Sequence, residues 1–218
     1  IATRIGIEET QYIAYDKVGL VQRKHARAIM NRKHNKAAHA LTPTTHSAKT
    51  PIMVTTGADD GTGRRRLIPK DVLTHKGFYD AQKIPFSERI LVLSSEHYND
   101  LLFWCLEAKK PTDHLAHDES GMLKLRFEGF KTYVYIDVPL INVVTLVKPS
   151  FGAVATANDK PASFSFHSYD MFKATGRTWN VSDPINTQTH ATMYNVRHNY
   201  VVLPRKARGT GAIVSATV

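Results

Sequence analysis

The chain has 218 residues, of which 42% are hydrophobic and 22% charged, as in ordinary globular proteins. A chain of this length buries a sizeable core, which excludes a small disulfide-stabilised protein and a disordered one. Its single cysteine, Cys105, cannot form an internal disulfide bond and is expected to be a small core residue. The longest apolar stretch, residues 136–147, is broken by Asp137, Pro139 and Asn142, so neither a membrane helix nor a membrane partner is predicted.

The charge of the chain departs from the average. Lys and Arg number 29 against 19 for Asp and Glu, which gives a formal net charge of +10 at pH 7. Because a positive field attracts polyanions, nucleic acid is the first partner to consider.

The first predicted element is a long helix over residues 16–41. Asp16 suits its N-cap, no proline interrupts the following residues, and Thr42-Pro43 ends it. Its apolar stripe is narrow, and no acidic residue follows Asp16 within the helix, so we expect it to lie on a surface and to act as a strut. The basic residues along it are Lys17, Arg23, Lys24, Arg27, Arg32, Lys33 and Lys36.

The next elements are a loop-rich stretch and two helices. Residues 42–66 are rich in Pro, Thr, Ser, Gly and Asp, which predicts an exposed, mobile connection with a short strand at 52–55. A helix is predicted over residues 69–82, a strand over 89–93, and a helix capped by Ser95. The residues on the predicted apolar stripe of this last helix are Tyr98, Leu101, Leu102, Cys105 and Leu106.

The rest of the chain is predicted to be mainly strands. Residues 123–138 alternate in polarity around Glu128-Gly129, which predicts a hairpin. A short helix is predicted over residues 168–175, closed by Gly176. The other strand candidates are 143–147, 163–166, 196–203 and 212–216. Without regular alternation of strands and helices, the pattern favours an α+β fold over a doubly wound parallel sheet.

Sequence motifs for catalysis or metal binding are weak. His114 and His117 form an HxxH pair without a third ligand in a recognisable pattern. The glycine-rich segment 57–63 lacks the Lys-Ser or Lys-Thr of a phosphate loop. We therefore predict no catalytic residue, no metal and no cofactor, and do not expect an enzyme. The histidines near the long helix are expected to be solvated or interfacial; they are His25, His34, His39 and His46.

The basic clusters are more informative than these motifs. The candidate contacts with DNA or a neighbouring subunit are Arg23, Arg27, Arg32, Arg64, Arg65 and Arg66. Aromatic residues do not alternate with them, so any contact with nucleic acid is expected to be independent of base sequence. A solvated face that merely keeps the protein soluble is the alternative for each of these residues.

Four stretches, in this order, resemble the major capsid proteins of tailed bacteriophages with the Hong Kong 97-type fold. The first resembles the end of the E-loop and the spine helix, and the second a helix, an Ile-Pro pair and a strand that leads into a helix with the spacing of Tyr98, Leu101 and Leu102. The third resembles a Gly-Phe hairpin through Gly129 and Phe130, and the fourth the closing strand. The stretches are 8–33, 67–102, 121–140 and 194–214.

The resemblance implies an α+β fold with a spine helix, a peripheral domain and an axial domain. Residues 1–16 would end the E-loop, 17–41 would form the spine helix, 42–178 mainly the axial domain, and 179–218 the return strands of the peripheral domain and the closing strand. An N-terminal arm and a complete E-loop should precede Ile1, which is not a methionine, so we expect that sequence is missing.

The resemblance also implies a function and partners. The chain would assemble in the host cytoplasm into hexamers and pentamers of an icosahedral virion that encloses double-stranded DNA. Portal, scaffold and cement proteins would be further partners. Two alternatives stay open: a sequence-independent nucleic-acid-binding protein, and an encapsulin-like shell around cargo protein.

Overall fold

The computed structural model describes residues 2–6, 16–119, 121–123, 127–183 and 190–217. The helices are α1 (Lys17–Leu41), α2 (Pro69–Ala81) and α3 (Ser95–Glu107). The strands are β1 (Ala2–Gly6), β2 (Ile52–Val54), β3 (Arg89–Ser94), β4 (Lys131–Tyr135), β5 (Leu140–Asn142), β6 (Asp159–His167), β7 (Met171–Ser182), β8 (Ala191–Pro204) and β9 (Thr210–Val214). The chain divides into two compact units, residues 1–34 with 173–201 and residues 35–172 with 202–218.

The first unit contains the beginning of α1 and a sheet in the order β1-β8-β7. Asp16 caps α1 as predicted, because its carboxylate accepts a hydrogen bond from the backbone N–H of Gly19 at 2.8 Å. His25 is buried, and its Nε2 lies 2.6 Å from the hydroxyl of Thr3 on β1. The expectation that His25 is solvated or interfacial is therefore wrong, since this helix face packs on the sheet.

The second unit contains a sheet in the order β2-β9-β6-β3-β4, with β5 paired to β6. The pairs β3-β4 and β2-β9 are parallel, whereas β6 runs antiparallel to both β3 and β9. Helices and mixed strands together confirm the α+β prediction. The main core cluster joins Val72 and Tyr79 of α2 to Leu91 and Leu93 of β3 and to Cys105 of α3, which is buried as predicted.

Helix α3 is confirmed, with a shift in its cap and in its buried stripe. Ser94 rather than Ser95 is the N-cap, and its hydroxyl accepts a hydrogen bond from the N–H of His97 at 3.2 Å. The buried face includes His97 and Asp100, whereas Leu106 is 65% exposed. Periodicity alone missed the two polar residues because their partners come from distant parts of the chain.

Two of the predicted elements are wrong. Residues 168–175 do not form a helix: a single 3₁₀ turn leads into β7, whose Phe172 and Trp179 belong to the aromatic residues that strands favour. Residues 143–147 do not form a strand either. The side-chain oxygen of Asn142 accepts hydrogen bonds from the N–H groups of Val144 and Thr145 at 3.1 Å, which turns the chain after β5.

The hairpin turn at Glu128-Gly129 is confirmed by reciprocal backbone hydrogen bonds between Phe127 and Phe130, at 2.9 and 3.0 Å. Most of its predicted first strand, residues 124–126, lies outside the described residues. The expected exposure of residues 42–66 is wrong in part, because Ile52 and Thr55 are buried and the Thr55 hydroxyl donates to the carbonyl of Arg65 at 2.7 Å.

Of the helices in the described ranges, none has both the length and the apolar character that a membrane span requires.

Candidate assembly and nucleic-acid surfaces

Helix α1 presents its predicted arginines to the outside on two different sides. Arg23, Arg27 and Arg32 are all exposed. Because an α-helix turns about 100° per residue, Arg23 and Arg27 lie on adjacent parts of one face, while Arg32 is rotated about 180° from Arg23. The three arginines therefore do not form one continuous patch, and only Arg23 and Arg27 are placed to contact the same surface.

Arg64 is held inside the second unit by acidic residues. Its guanidinium group makes two hydrogen bonds of 2.7 Å to the carboxylate of Asp100 and one of 2.9 Å to Asp60. The Asp100 carboxylate also accepts the backbone N–H of Leu67 at 2.9 Å. The contact with Asp100 raises the pKa of Arg64. The pKa of Asp60 is lowered to about 2, mainly by hydrogen bonds from Thr62 and in addition by Arg64. Arg64 thus fixes the 57–67 segment onto α3.

The other two arginines of this run differ from Arg64. The guanidinium of Arg66 lies 2.9 Å from the carboxylate of Glu107 and 5.5 Å from the ring centre of Phe103, both on α3. Arg65 has an exposed side chain, while its backbone N–H donates to the carbonyl of Ala216 at 2.9 Å. Of these three arginines, Arg65 is exposed, whereas Arg64 and Arg66 are half-buried.

Two buried histidines form a polar network that the sequence did not indicate. His97 lies between Ser163 and Ser215, with its ring nitrogens 2.6 and 2.9 Å from their hydroxyl oxygens. His75 Nε2 lies 2.6 Å from the hydroxyl of Ser165, which also contacts the hydroxyl of Tyr79 at 2.8 Å. Burial lowers the pKa of both histidines to about 4, so both rings are neutral at pH 7.

Ser163 and His97 are as close to each other as a catalytic nucleophile and its general base. Their surroundings, however, do not suit catalysis. Both side chains are buried in the core, and the second ring nitrogen of His97 faces a serine rather than a carboxylate. Within the described ranges, no group of three or more His, Cys, Asp or Glu side chains is arranged to hold a metal ion. We assign this network to the packing of α2 and α3 on the sheet.

A groove of about 620 Å³ lies within the first unit, along one flank of α1. Thr178 and Asn180 of β7 and Val196 and His198 of β8 form its other wall. The helix residues that line it are Gly19, Gln22, Arg23, Ala26, Ile29, Met30 and Lys33, together with the cap residue Asp16.

Comparison with solved structures identifies the fold. The capsid of cyanophage P-SCSP1u superposes with a TM-score of 0.62 at 13% identity, covering 100% of this chain and 72% of that chain. The mature capsid of bacteriophage PhiM1 gives 0.59 at 14% identity, covering 98% and 69%. The SrpI encapsulin of Synechococcus elongatus gives 0.65 at 11% identity, covering 98% and 71%.

The chain has the Hong Kong 97-type capsid fold. No protein-family model matches the sequence, and no curated protein matches it either. The sequence resemblance and the structural likeness therefore agree on the fold, at a level of identity where sequence comparison alone finds no relative.

Proposed function

We propose that the chain is a major capsid protein, a structural subunit without enzymatic activity, in the icosahedral shell of a virion that encloses double-stranded DNA. The observation that carries the proposal is the fold, which two phage capsids share over 98% and 100% of this chain. Hexamers and pentamers form the shell after assembly in the host cytoplasm, with portal, scaffold and cement proteins as further partners.

Exposed apolar residues in the second unit support self-association. Ile136 is 82% exposed and Val154 is 91% exposed, and Phe86 and Val144 are also largely outside the core. A soluble monomer gains nothing from leaving such side chains in water, whereas contacts between copies of the chain would bury them.

Exposed cations support the second part of the proposal, the contact with DNA. We assign Arg23 and Arg27 to one surface of α1 that meets DNA or a neighbouring subunit, and Arg32 and Arg65 to separate contacts of the same kind. Contacts of this type neutralise phosphates and do not read bases. Arg64 is assigned to the interior ion pair with Asp100, and Arg66 to the surface ion pair with Glu107.

Electron microscopy of the purified chain tests the proposal. We expect the purified chain to form capsomers or closed shells under native salt. Particles isolated from the natural source should contain double-stranded DNA that is protected from nuclease. A compact monomer at high micromolar concentration in analytical ultracentrifugation would contradict it.

An encapsulin-like compartment is the second candidate, because the SrpI encapsulin complex superposes with a TM-score of 0.65. This compartment would enclose protein cargo instead of DNA. Mass spectrometry and nucleic-acid extraction from the same nuclease-treated particles distinguish the two kinds of shell.

A sequence-independent nucleic-acid-binding protein is the third candidate, because the net charge of +10 favours polyanions. It predicts tight binding of duplex DNA by the single chain, with an affinity that falls steeply with salt. A shell subunit binds DNA weakly as a single chain and strongly only as an array. A salt titration of the dissociated chain separates these outcomes.

A further inference from the structure

The groove of the first unit is bordered by the outer strand of the sheet. The strand order β1-β8-β7 leaves β7 at one side, and among the described strands none pairs with its other edge. The helix residues that line the groove run from Gly19 to Lys33, a rise of about 21 Å at 1.5 Å per residue. A six-residue extended segment has about this length.

Two contacts fix how β7 pairs with β8. The N–H of Asp183 donates to the carbonyl of Met193 at 3.0 Å, and the Thr178 hydroxyl lies 2.8 Å from Nδ1 of His198. Both contacts satisfy one antiparallel register. In this register the N–H and C=O groups of Thr178 and Asn180 point away from β8, because hydrogen-bonded and non-hydrogen-bonded pairs alternate. The edge of β7 therefore offers donors and acceptors that suit a further strand.

Side chains around this edge are apolar in the middle and positive at the ends. Ala26 and Met30 lie exposed along the groove, and Met30 is 52% exposed. Arg23 and Lys33 also line the groove. Its one acidic residue, Asp16, accepts a hydrogen bond from the N–H of Gly19 in the first turn of α1. The buried Nε2 of His198, which lines the same groove, has no hydrogen-bond partner among the described residues.

The opposite face of β7 is positive as well. Arg177 stacks over the exposed ring of Trp179 at 5.2 Å. An added strand would thus meet cations on both of its faces, which requires acidic side chains in that strand.

We propose that this groove binds an extended, acidic segment of a partner protein, which pairs with the free edge of β7 as a fourth strand. Its carboxylates approach Arg23 and Lys33, and an apolar side chain packs on Ala26 and Met30. This is strand addition, in which main-chain hydrogen bonds give affinity and the flanking side chains select the sequence.

The chemistry of the edge favours a peptide over the other occupants. Phosphate groups of nucleic acid only accept hydrogen bonds, so they would leave the edge carbonyls of β7 unpaired. None of the nine described strands of a second copy carries this charge, because their one acidic residue is Asp159 at the start of β6. If no strand adds to β7, the remaining role of these cations is to prevent unwanted pairing of its exposed edge with other strands.

Fluorescence anisotropy on the dissociated full chain tests the proposal. The probe is a labelled nine-residue peptide with the sequence EEVVEEVVE, in which both faces of the extended chain carry Glu and Val. The controls are the same peptide with Lys for Glu and one with Pro at its centre. At physiological salt we expect only the Glu peptide to bind, since the Lys peptide is repelled and the Pro peptide loses an edge hydrogen bond.

Matched variants locate the site. We expect Arg23→Glu to weaken binding of the Glu peptide by about tenfold or more, and Lys24→Glu, on the opposite flank of α1, by less than about twofold. Thr178→Pro removes the N–H at the free edge and should weaken binding by about tenfold, whereas Thr178→Val removes only the hydroxyl and should change it by less than about twofold.

Several results would overturn the proposal. The first is equal binding of the Glu and Lys peptides, and the second is an equal effect of Arg23→Glu and Lys24→Glu. The third is binding of a 12-base-pair duplex but not of the peptide. The fourth is loss of self-assembly in Thr178→Pro when the parent chain binds no peptide. Circular dichroism checks the fold of each variant; should Thr178→Pro unfold, the Arg23→Glu comparison and the Pro peptide decide. Because the chain is tested dissociated, a failure to form shells leaves this result unaffected.

Discussion

Lys148 reaches the end of helix α1, where its ammonium group donates a hydrogen bond of 2.6 Å to the carbonyl oxygen of Thr42. It also donates to the carbonyl of His39, so it satisfies two of the carbonyl groups that a helix leaves unpaired at its C-terminus. Lys148 is 7% exposed, and its positive charge lies at the negative end of the helix dipole.

Replacing Lys148 by Met should therefore destabilise the chain. Hydrogen bonds to charged groups contribute about 1.5–3 kcal/mol each, and Met retains most of the apolar stem, so we expect a loss of about 2 kcal/mol or more. Urea unfolding at pH 7 measures the change. A variant as stable as the parent would show that solvent caps α1 equally well.

The pH dependence of this effect has a definite sign. Burial lowers the pKa of Lys148 from 10.5 to about 8, so between these values the unfolded chain holds a proton that the folded chain has released. The contribution of Lys148 to the free energy of unfolding should therefore rise as the pH rises from 8 to 10.5. The stability difference between the parent and Lys148→Met, measured across this range, should change accordingly; a constant difference would contradict the prediction.

Acid should destabilise the chain through the buried histidines. Burial lowers the pKa of His75 and His97 from 6.5 to about 4. Below pH 6.5 the unfolded chain takes up protons that the folded chain excludes, so this stability is complete above pH 6.5 and is lost as the pH falls toward 4.

His75→Gln isolates one of these two contributions. Glutamine keeps a polar group for Ser165 but does not titrate, so the variant should lose about 3 kcal/mol less than the parent between pH 7 and pH 4. Urea unfolding at both pH values gives the comparison. Parallel pH profiles for the two proteins would show that the pKa of His75 is the same in the folded and the unfolded chain.

Substitution of the neighbouring residues Arg64 and Arg65 should change the free energy of unfolding to very different extents. Arg64→Ala leaves the carboxylate of Asp100, which is 3% exposed, without its cation, and breaking such a pair costs about 3–5 kcal/mol. Arg65→Ala removes an exposed side chain and should change the free energy of unfolding by less than about 0.5 kcal/mol. Equal losses in the two variants would contradict the assignment of Arg64 to the interior.

A combined change on α1 tests the contact with DNA. Replacing Arg23, Arg27 and Arg32 by Glu reverses three exposed charges, so we expect impaired assembly or DNA packaging with the fold of the single chain intact. Particle counts by electron microscopy and DNA content per particle provide the measurement, with circular dichroism as the check on folding. Particles that assemble and fill normally would show that these arginines contact neither DNA nor a neighbouring subunit.

Elements governed by neighbours in sequence were predicted well. Helix α1 follows from the Asp16 cap and the absence of proline, and the β3–α3 unit from an aliphatic run next to an apolar repeat. The turn at Glu128-Gly129 follows from its residues alone. Each of these signals lies within a few residues of the structure it specifies.

Elements governed by distant partners were missed. β7 resembles a short helix locally but extends along β8, and Arg64 resembles a solvated cation until α3 brings Asp100 to it. His97 joins Ser163 and Ser215, which are 66 and 118 residues away in sequence. Periodicity reports which positions are apolar, so it cannot show which polar side chains will find a buried partner.

The hairpin turn offers a substitution that should stabilise the chain. Glu128 has a φ of 49° and Gly129 a φ of 84°, the left-handed conformation that a two-residue turn of this kind needs at both positions. Asn adopts this conformation at lower cost than Glu, because its short polar side chain bonds locally, so Glu128→Asn should raise the free energy of unfolding by about 0.5–1 kcal/mol. Glu128→Ala is the matched control and should bring no gain, since Ala lacks that side chain. Thermal and urea unfolding of the three proteins give the comparison, and an equal effect of Asn and Ala would contradict the backbone explanation.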